Sequence, residues 1–214
     1  ETSLLQLGAA YQPFLDEGRF WGPSFITKIE DNQGRVLYTR PTPISTQVMS
    51  GWTAFQMRSM LNGVVLYGTG RNANWFGSSS DIGGKTGTTS EYRDAWFVGF
   101  VPGLVTGVWM GYDDNRPMLK VTGGSVPARL WQEYMKTASK KFENFRPPDD
   151  PEHVLLPTCT INGDLADSTC PDVDLYPYRM NDPLLVGEPS TEAGLRETPI
   201  SNWDTSRSNR IPLP

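Results

Sequence analysis

The feature that most constrains the fold is a pair of apolar segments joined by a two-residue turn. Residues 94–101 (DAWFVGFV) and 104–112 (LVTGVWMGY) flank Pro102-Gly103, a dipeptide typical of tight turns. Both segments are apolar at nearly every position, whereas a strand with one wet face alternates apolar and polar residues. The sequence therefore predicts two antiparallel strands in a sheet that is covered on both faces, with most of their aromatic side chains in the core.

Apolar residues at helical spacing occur both before and after this strand pair in the sequence. This spacing predicts a first helix over residues 4–15, a second from Ser45 or Thr46 to the glycines at 68–70, and a third over residues 126–142. In the third helix, one apolar stripe has one residue per turn (Val126, Leu130, Tyr134 and Ala138), and Trp131 and Met135 lie beside it.

Two further strand signals complete the prediction of fold class. Alternation around a turn at 32–34 indicates a hairpin with strands at Phe25–Glu30 and Arg35–Thr39, and residues 81–89 read as a strand next to the apolar pair. Strands that follow one another closely and helices before and after them indicate an α/β fold of the α+β type, in which helices flank an antiparallel sheet.

The composition changes after residue 146. Proline and aspartate dominate residues 147–214 without sustained periodicity, which is typical of loop-like or disordered segments. We therefore divide the chain into a folded part, 1–146, and an irregular C-terminal tail, 147–214. The two cysteines, Cys159 and Cys170, lie in this tail. A structural zinc site needs about four ligands, so a disulfide is favoured over a metal site, with two free thiols as the alternative.

The charge and hydropathy of the chain argue against a nucleic-acid partner and against a membrane-spanning helix. Its 19 basic and 24 acidic residues give a net charge of −5, which argues against a nucleic-acid-binding surface. No apolar run approaches the roughly 18 residues of a membrane-spanning helix, so we expect no membrane span in this chain. The sequence starts at Glu1 without Met or a signal-peptide pattern, which indicates a processed piece or the end of a longer protein.

Residues 83–89 (GGKTGTT) are the candidate site, and their lysine has three possible roles. A phosphate-binding Walker A loop requires G-x-x-x-x-G-K-[ST] followed by a helix, but a serine replaces its first glycine and a strand follows. A solvated lysine that protects an edge strand from aggregation is the simplest structural alternative. The third interpretation is a cleft-facing lysine that binds a carboxylate and supports proton transfer near a nucleophile.

The residues next to Lys85 suit the third interpretation. The hydroxyls of Thr86 and Thr88 can donate to the same carboxylate as the lysine. Gly87 lets another backbone approach, so that an extended peptide can pair with this edge. The backbone N–H of Thr88 can then stabilise an acyl oxyanion.

Longer strings around the motif resemble a known family. They are GTGRNANWFG (68–77), DIGGKTGTTSEYRDAWFVGFVPGLVTGVWMGYDDNRPM (81–118) and TGGSVPARLWQEYM (122–135). Together with the K-T-G at 85–87, they resemble the C-terminal part of the transpeptidase domain of class A, bifunctional penicillin-binding proteins. Residues 1–38 resemble the segment that precedes this part in the family, so the resemblance covers roughly residues 1–146. It implies the fold of a penicillin-binding-protein/β-lactamase-like serine acyltransferase domain, in agreement with the layers predicted above.

The resemblance also implies an activity and a site. The complete domain would acylate a serine with the penultimate D-Ala of a peptidoglycan stem peptide, and β-lactams would acylate the same serine. Catalytic roles are implied for Lys85 and Thr88, and substrate binding for Thr86, Gly87, Thr88 and Thr89. No metal or organic cofactor is implied. The expected location is the periplasmic side of the bacterial cytoplasmic membrane, with the membrane anchor upstream of this chain.

Two motifs of the family are missing from this sequence. No serine is followed by lysine at the third position (S-x-x-K), and none by asparagine at the second (S-x-N). We therefore expect an upstream segment of the same protein to supply the nucleophile, and the isolated chain to be inactive. The alternatives are a β-lactamase or β-lactam sensor, and a non-enzymatic module that binds peptides or a partner protein.

Overall fold

The computed structural model describes residues 2–75, 81–139, 145–149 and 152–181. The elements, in chain order, are α1 (Leu4–Leu15), β1 (Arg19–Phe20), β2 (Lys28–Glu30), β3 (Val36–Thr39), β4 (Thr46–Gln47), α2 (Gly51–Leu66), β5 (Gly83–Thr88), β6 (Asp94–Val101), β7 (Leu104–Gly111), α3 (Val126–Ala138), β8 (His153–Cys159) and β9 (Val173–Arg179). In this part of the chain, no helix is both long and apolar enough to span a membrane.

The central sheet is antiparallel and has the strand order β5-β6-β7. Its middle strand, β6, is buried over almost its whole length, and the rings of Phe97 and Phe100 are at most 1% exposed. The predicted sheet with flanking helices is therefore confirmed. β7 is only half-buried, and Trp109 is 40% exposed, because no further strand of the described chain pairs with its outer edge.

Helices pack against both faces of this sheet. On one face, Tyr11 of α1 approaches Phe100 with ring centroids 6.4 Å apart, and Leu4 lies so close to Gly107 that a Cβ there would be 2.5 Å from its Cδ1 atom. On the other face, Trp131 of α3 packs on Phe97 with ring centroids 5.2 Å apart. The indole of Trp131 also donates a hydrogen bond to the carbonyl oxygen of Thr106, at 2.9 Å, which fixes α3 across β7.

The buried face of α3 contains the two residues predicted to lie beside the stripe, Trp131 and Met135, rather than the stripe itself. The side chains that are buried are Pro127, Ala128, Trp131 and Met135. In the predicted stripe, Val126, Leu130 and Tyr134 are 40%, 49% and 55% exposed. Both stripes are apolar and lie next to each other on the helix, so helical periodicity does not decide between them. The large ring of Trp131 packs on the sheet, so the stripe that contains Trp131 and Met135 is the one that faces the core.

The N-terminal half contains the predicted hairpin and a helix that starts later than predicted. β2 and β3 pair within the two predicted strands, and all their residues are exposed. The prediction that α2 starts at Ser45 or Thr46 is wrong, because Thr46 belongs to β4, which pairs with β1. The helix starts at Gly51, where the Ser50 hydroxyl accepts the N–H of Thr53 at 3.0 Å and caps the first turn.

The tail contains regular structure that the sequence analysis did not predict. β8 and β9 form an antiparallel hairpin over residues expected to be irregular, and Leu155 packs in a cluster with Trp52 and Phe55 of α2. Residues 182–214, also predicted to be loop-like, lie outside the described residues.

The prolines within the hairpin explain why it was missed. Proline in a central strand removes a ladder hydrogen bond. Pro157 and Pro177, however, occupy non-hydrogen-bonded positions, because their carbonyl oxygens accept from Ala166 and Gln56, which lie outside the two strands. In an antiparallel pair the N–H and C=O of one residue point to the same side, so neither proline removes a donor from the ladder.

Candidate active site

The candidate site is built on β5, which lies at one edge of the central sheet as described. The N–H of Thr89 donates to the carbonyl oxygen of Asp94 at 3.0 Å. Because hydrogen-bonded and non-hydrogen-bonded pairs alternate along an antiparallel ladder, Thr88 and Thr86 occupy non-hydrogen-bonded positions opposite Ala95 and Phe97. The backbone N–H and C=O of both threonines therefore point away from β6, toward the free edge.

Lys85 is on the other face of the strand from the two threonines, since side chains alternate along a strand. Its side chain is exposed and curls back over the edge, where Nζ donates to the carbonyl oxygen of Thr86 at 2.9 Å. The ammonium group and the outward backbone N–H groups of Thr86 and Thr88 thus lie along this exposed edge, and the Thr88 hydroxyl lies on the adjoining face of the strand. An acceptor-only group such as a carboxylate matches this concentration of donors.

The hydroxyl of Thr88 has a defined hydrogen-bond direction. Its Oγ1 atom accepts from the backbone N–H of Gly123 at 3.0 Å. A backbone N–H can only donate, so the hydroxyl hydrogen of Thr88 stays available to another acceptor. Gly123 can approach this closely because it has no side chain: a Cβ there would lie 2.1 Å from the Trp96 carbonyl oxygen and 2.6 Å from that of Gly87.

The hydroxyl of Thr86 is paired with a residue that the sequence analysis did not select. Oγ1 of Thr86 lies 2.8 Å from Oγ1 of Thr69, in the turn that follows α2. Asn72 joins this turn to the segment before α3, since its Nδ2 donates to the carbonyl oxygen of Gly124 at 2.6 Å. The only sequence signal for these contacts is a concentration of glycines and threonines at 68–70 and 122–124.

The loop that leaves β5 has an unusual backbone. Glu91 and Tyr92 have φ angles of +60° and +57°, in the left-handed region that non-glycine residues seldom adopt. The N–H of Met118 donates to the Tyr92 carbonyl oxygen at 3.0 Å, and Arg93 pairs with Glu91 at 2.6 Å. Thr89 is exposed at the start of this loop, where its hydroxyl accepts from the N–H of Asp94 at 2.7 Å.

Buried polar residues hold the other end of β5 in place. Asn62 of α2 donates its Nδ2 to the Ile82 carbonyl oxygen at 2.6 Å. The preceding residue, Asp81, accepts the N–H of Phe145 at 2.9 Å, and burial raises the pKa of its carboxyl group. Burial likewise lowers the pKa of the Arg58 guanidinium to about 10, and this group lies over the ring of Phe145. The register of β5 is thus fixed from within the core.

The cysteines are part of a separate cluster in the β8–β9 hairpin. The structure joins Cys159 and Cys170, with the sulfur atoms 2.10 Å apart and the Cα atoms 5.8 Å apart, and both pack against Val173. Within residues 2–75, 81–139, 145–149 and 152–181, no group of three or more His, Cys, Asp or Glu side chains is placed to hold a metal ion.

Curated relatives of this chain are penicillin-binding proteins. Penicillin-binding protein 1A of Aquifex aeolicus is 38% identical over 189 residues, which cover 87% of this chain and 25% of that protein. The corresponding protein of Neisseria flavescens is 37% identical over 161 residues, or 72% of this chain and 20% of the relative. This chain therefore spans about a quarter or less of these relatives. An alignment over 87% of 214 residues necessarily includes the β8–β9 hairpin.

Solved structures agree with this relationship. Penicillin-binding protein 1A from Haemophilus influenzae is 27% identical with a TM-score of 0.66, over 82% of this chain and 32% of that one. The penicillin-binding protein PonA1 from Mycobacterium tuberculosis is 25% identical with a TM-score of 0.61, over 69% of this chain and 42% of that one. The family model described as the penicillin binding protein transpeptidase domain matches residues 1–136. The chain belongs to the penicillin-binding protein transpeptidase family.

Proposed function

We propose that this chain forms one wall of the active site of a peptidoglycan D,D-transpeptidase. The observation that carries the proposal is the exposed edge of β5, where the Lys85 ammonium group and the outward N–H of Thr88 are donors, with the Thr88 hydroxyl hydrogen available on the adjoining face. Lys85, Thr86 and Thr88 bind the terminal carboxylate of the stem peptide. Gly87 and Thr89 line the path of the extended peptide along the strand.

The reaction starts when a serine upstream of this chain attacks the carbonyl carbon of the penultimate D-Ala. The oxyanion that forms is stabilised by the N–H of Thr88, and Lys85 supports the accompanying proton transfer. The C–N bond breaks, and the terminal D-Ala leaves with a proton on its amine. An amine of a neighbouring stem peptide then attacks the acyl-serine ester, which forms the cross-link and releases the serine. Attack by water instead gives carboxypeptidase activity.

Similarity to known proteins supports this assignment. PonA1 from Mycobacterium tuberculosis has been solved in complex with penicillin V and is 25% identical to this chain with a TM-score of 0.60. Penicillins mimic the stem peptide and acylate the serine that it would acylate, so we expect the complete protein to be a β-lactam target. Its partners are then the upstream segment that carries the serine and the stem peptides of the cell wall. We place the domain on the periplasmic side of the cytoplasmic membrane.

Labelling with a fluorescent penicillin tests the proposal. The complete polypeptide should acquire a covalent label that survives denaturation, whereas the isolated 214-residue chain should not, because it has no S-x-x-K serine. The Thr88→Val change in the complete polypeptide should slow labelling about tenfold, since a hydrogen bond to a charged group is lost. The matched control is Thr39→Val, at an exposed threonine of β3, which should label at the normal rate.

Two outcomes would contradict the assignment. A label on the isolated chain would place the nucleophile within these residues, and equal labelling rates for the Thr88 and Thr39 variants would remove Thr88 from the binding site.

A further inference from the structure

The hydrogen-bond partner of Thr86 suggests a role for a residue outside the K-T-G strand. We propose that Thr69 is a positioning residue: its hydroxyl donates to Thr86 and thereby directs the hydroxyl hydrogen of Thr86 toward the substrate carboxylate. This inference rests on the proposed function and deepens it. Thr69 itself does not touch the substrate and acts only through Thr86.

The geometry allows two directions for this hydrogen bond. The two Oγ1 atoms are 2.8 Å apart, and either hydroxyl can be the donor. If Thr86 donates to Thr69, its only hydrogen is used and it cannot donate to a ligand. If Thr69 donates instead, Thr86 keeps its hydrogen and can serve the carboxylate.

A bound carboxylate selects the second direction. An ionised carboxylate is an acceptor only, so its arrival at Thr86 requires the Thr86 hydrogen and leaves the Thr86 oxygen to accept from Thr69. A hydroxyl that accepts one hydrogen bond becomes a better donor of another, because bonds in a chain polarise each other. Thr69 therefore contributes to carboxylate recognition specifically, and a neutral group at the same place gains less from it.

The backbone that carries Thr69 is anchored on two sides. The N–H of Gly68 donates to the Gly63 carbonyl oxygen at 3.0 Å, and the N–H of Gly70 to that of Val64 at 2.9 Å, so the turn is attached to the last turns of α2. Its other side rests on Gly124, where a Cβ would lie 2.2 Å from the Thr69 carbonyl oxygen. The Thr69 oxygen therefore stays within hydrogen-bond range of Thr86, and only its O–H group has to turn for Thr69 to become the donor.

Thr88 reaches the same result by a different route. Its hydroxyl accepts from the N–H of Gly123, a donor whose direction cannot be reversed. Thr86 has a second hydroxyl as its partner, and that hydroxyl can turn. Of these two hydrogen bonds, only the one between Thr86 and Thr69 uses a partner side chain. A substitution at Thr69 can remove that side chain's hydroxyl without moving the backbone.

The test compares two acyl donors in the complete polypeptide. One is an N-acyl-D-alanyl thioester whose thioglycolate leaving group ends in a carboxylate, and the other is its methyl ester. Thr69→Val keeps the shape of the side chain and removes the hydroxyl, whereas Thr69→Ser keeps the hydroxyl. Release of thiol gives kcat/KM for each donor and variant, and Thr39→Val serves as the control.

We expect Thr69→Val to lower kcat/KM for the carboxylate donor about fivefold, as expected for the loss of one hydrogen bond. The methyl ester should change less than about twofold, and Thr69→Ser should behave as the unchanged protein does. An equal fall with both donors would mean a structural role and overturn the inference, as would no change with either. Failure of the unchanged protein to turn over the carboxylate donor would overturn the proposed function and this inference together.

Discussion

The closest approach between segments at the candidate site is at Gly123, and its replacement by alanine is the most direct test of the packing there. The new Cβ would lie 2.1 Å from the Trp96 carbonyl oxygen, whereas ordinary contact begins at 3.4 Å. This oxygen and the Gly87 carbonyl oxygen, 2.6 Å from the same Cβ, are backbone atoms of the central sheet and cannot rotate away. The segment that contains Gly123 must therefore move outward by about 1.3 Å, the difference between 2.1 Å and 3.4 Å.

This displacement has two measurable consequences. Forcing an extra methyl group into a packed contact costs about 2 kcal/mol of unfolding free energy, which lowers Tm by about 4–8 °C for a chain of this size. The N–H of Gly123, at 3.0 Å from the Thr88 hydroxyl, also leaves hydrogen-bond range. If the proposed function is correct, misplacement by about 1 Å should slow acylation by up to about 100-fold.

Thermal unfolding of Gly123→Ala and Gly8→Ala, together with penicillin acylation, provides the measurement. Gly8 lies within α1, where an added Cβ meets no atom within 4 Å. Alanine there should stabilise the helix by roughly 0.5–1 kcal/mol and raise Tm. A Gly123→Ala protein that melts at the original temperature and is acylated at the original rate would refute this account of the packing around β5.

Two further predictions concern Asp81 and the disulfide. Burial raises the pKa of Asp81 above its usual value. Between its pKa in the unfolded state and its higher pKa in the folded state, the folded protein therefore binds more protons than the unfolded chain. The free energy of unfolding thus rises as pH falls through this range. Urea unfolding from pH 7 to 3.5 should therefore show the unchanged protein gaining stability relative to Asp81→Asn as pH falls; a constant difference would disprove this. Replacing Cys159 and Cys170 by serine should cost about 3 kcal/mol in the hairpin without changing acylation; free thiols in non-reducing peptide maps would exclude the disulfide.

The central sheet could be predicted because its signal is local. The apolar run of β6 requires cover on both faces, and the structure confirms it with Phe97 and Phe100 buried. The inward face of α3 could not be predicted in the same way, since two adjacent stripes of this helix are apolar. Packing of Trp131 on the sheet selects one of them, and that contact joins residues far apart in the sequence.

In the candidate site, too, the local features could be predicted and the contacts between distant residues could not. The residues from Lys85 to Thr89 could be selected because they are consecutive. Their hydrogen-bond partners could not: Thr69 is 17 residues before Thr86, and Gly123 is 35 residues after Thr88. A glycine that permits close approach looks the same in sequence as one in a loop. Only the positions of neighbouring backbones show that Gly123 has no room for a methyl group.

The packing of the tail hairpin on α2 matters for anyone who recombines this protein with its relatives. A chimera with its junction at residue 146, where the composition changes, would keep Trp52 and Phe55 but exchange the Leu155 and Leu175 that cover them. A donor hairpin with side chains of other sizes would leave gaps or clashes against α2. A junction placed after Arg179 instead keeps β8 and β9 in the same parent sequence as α2, which they cover. The junction then lies outside every packed cluster described above.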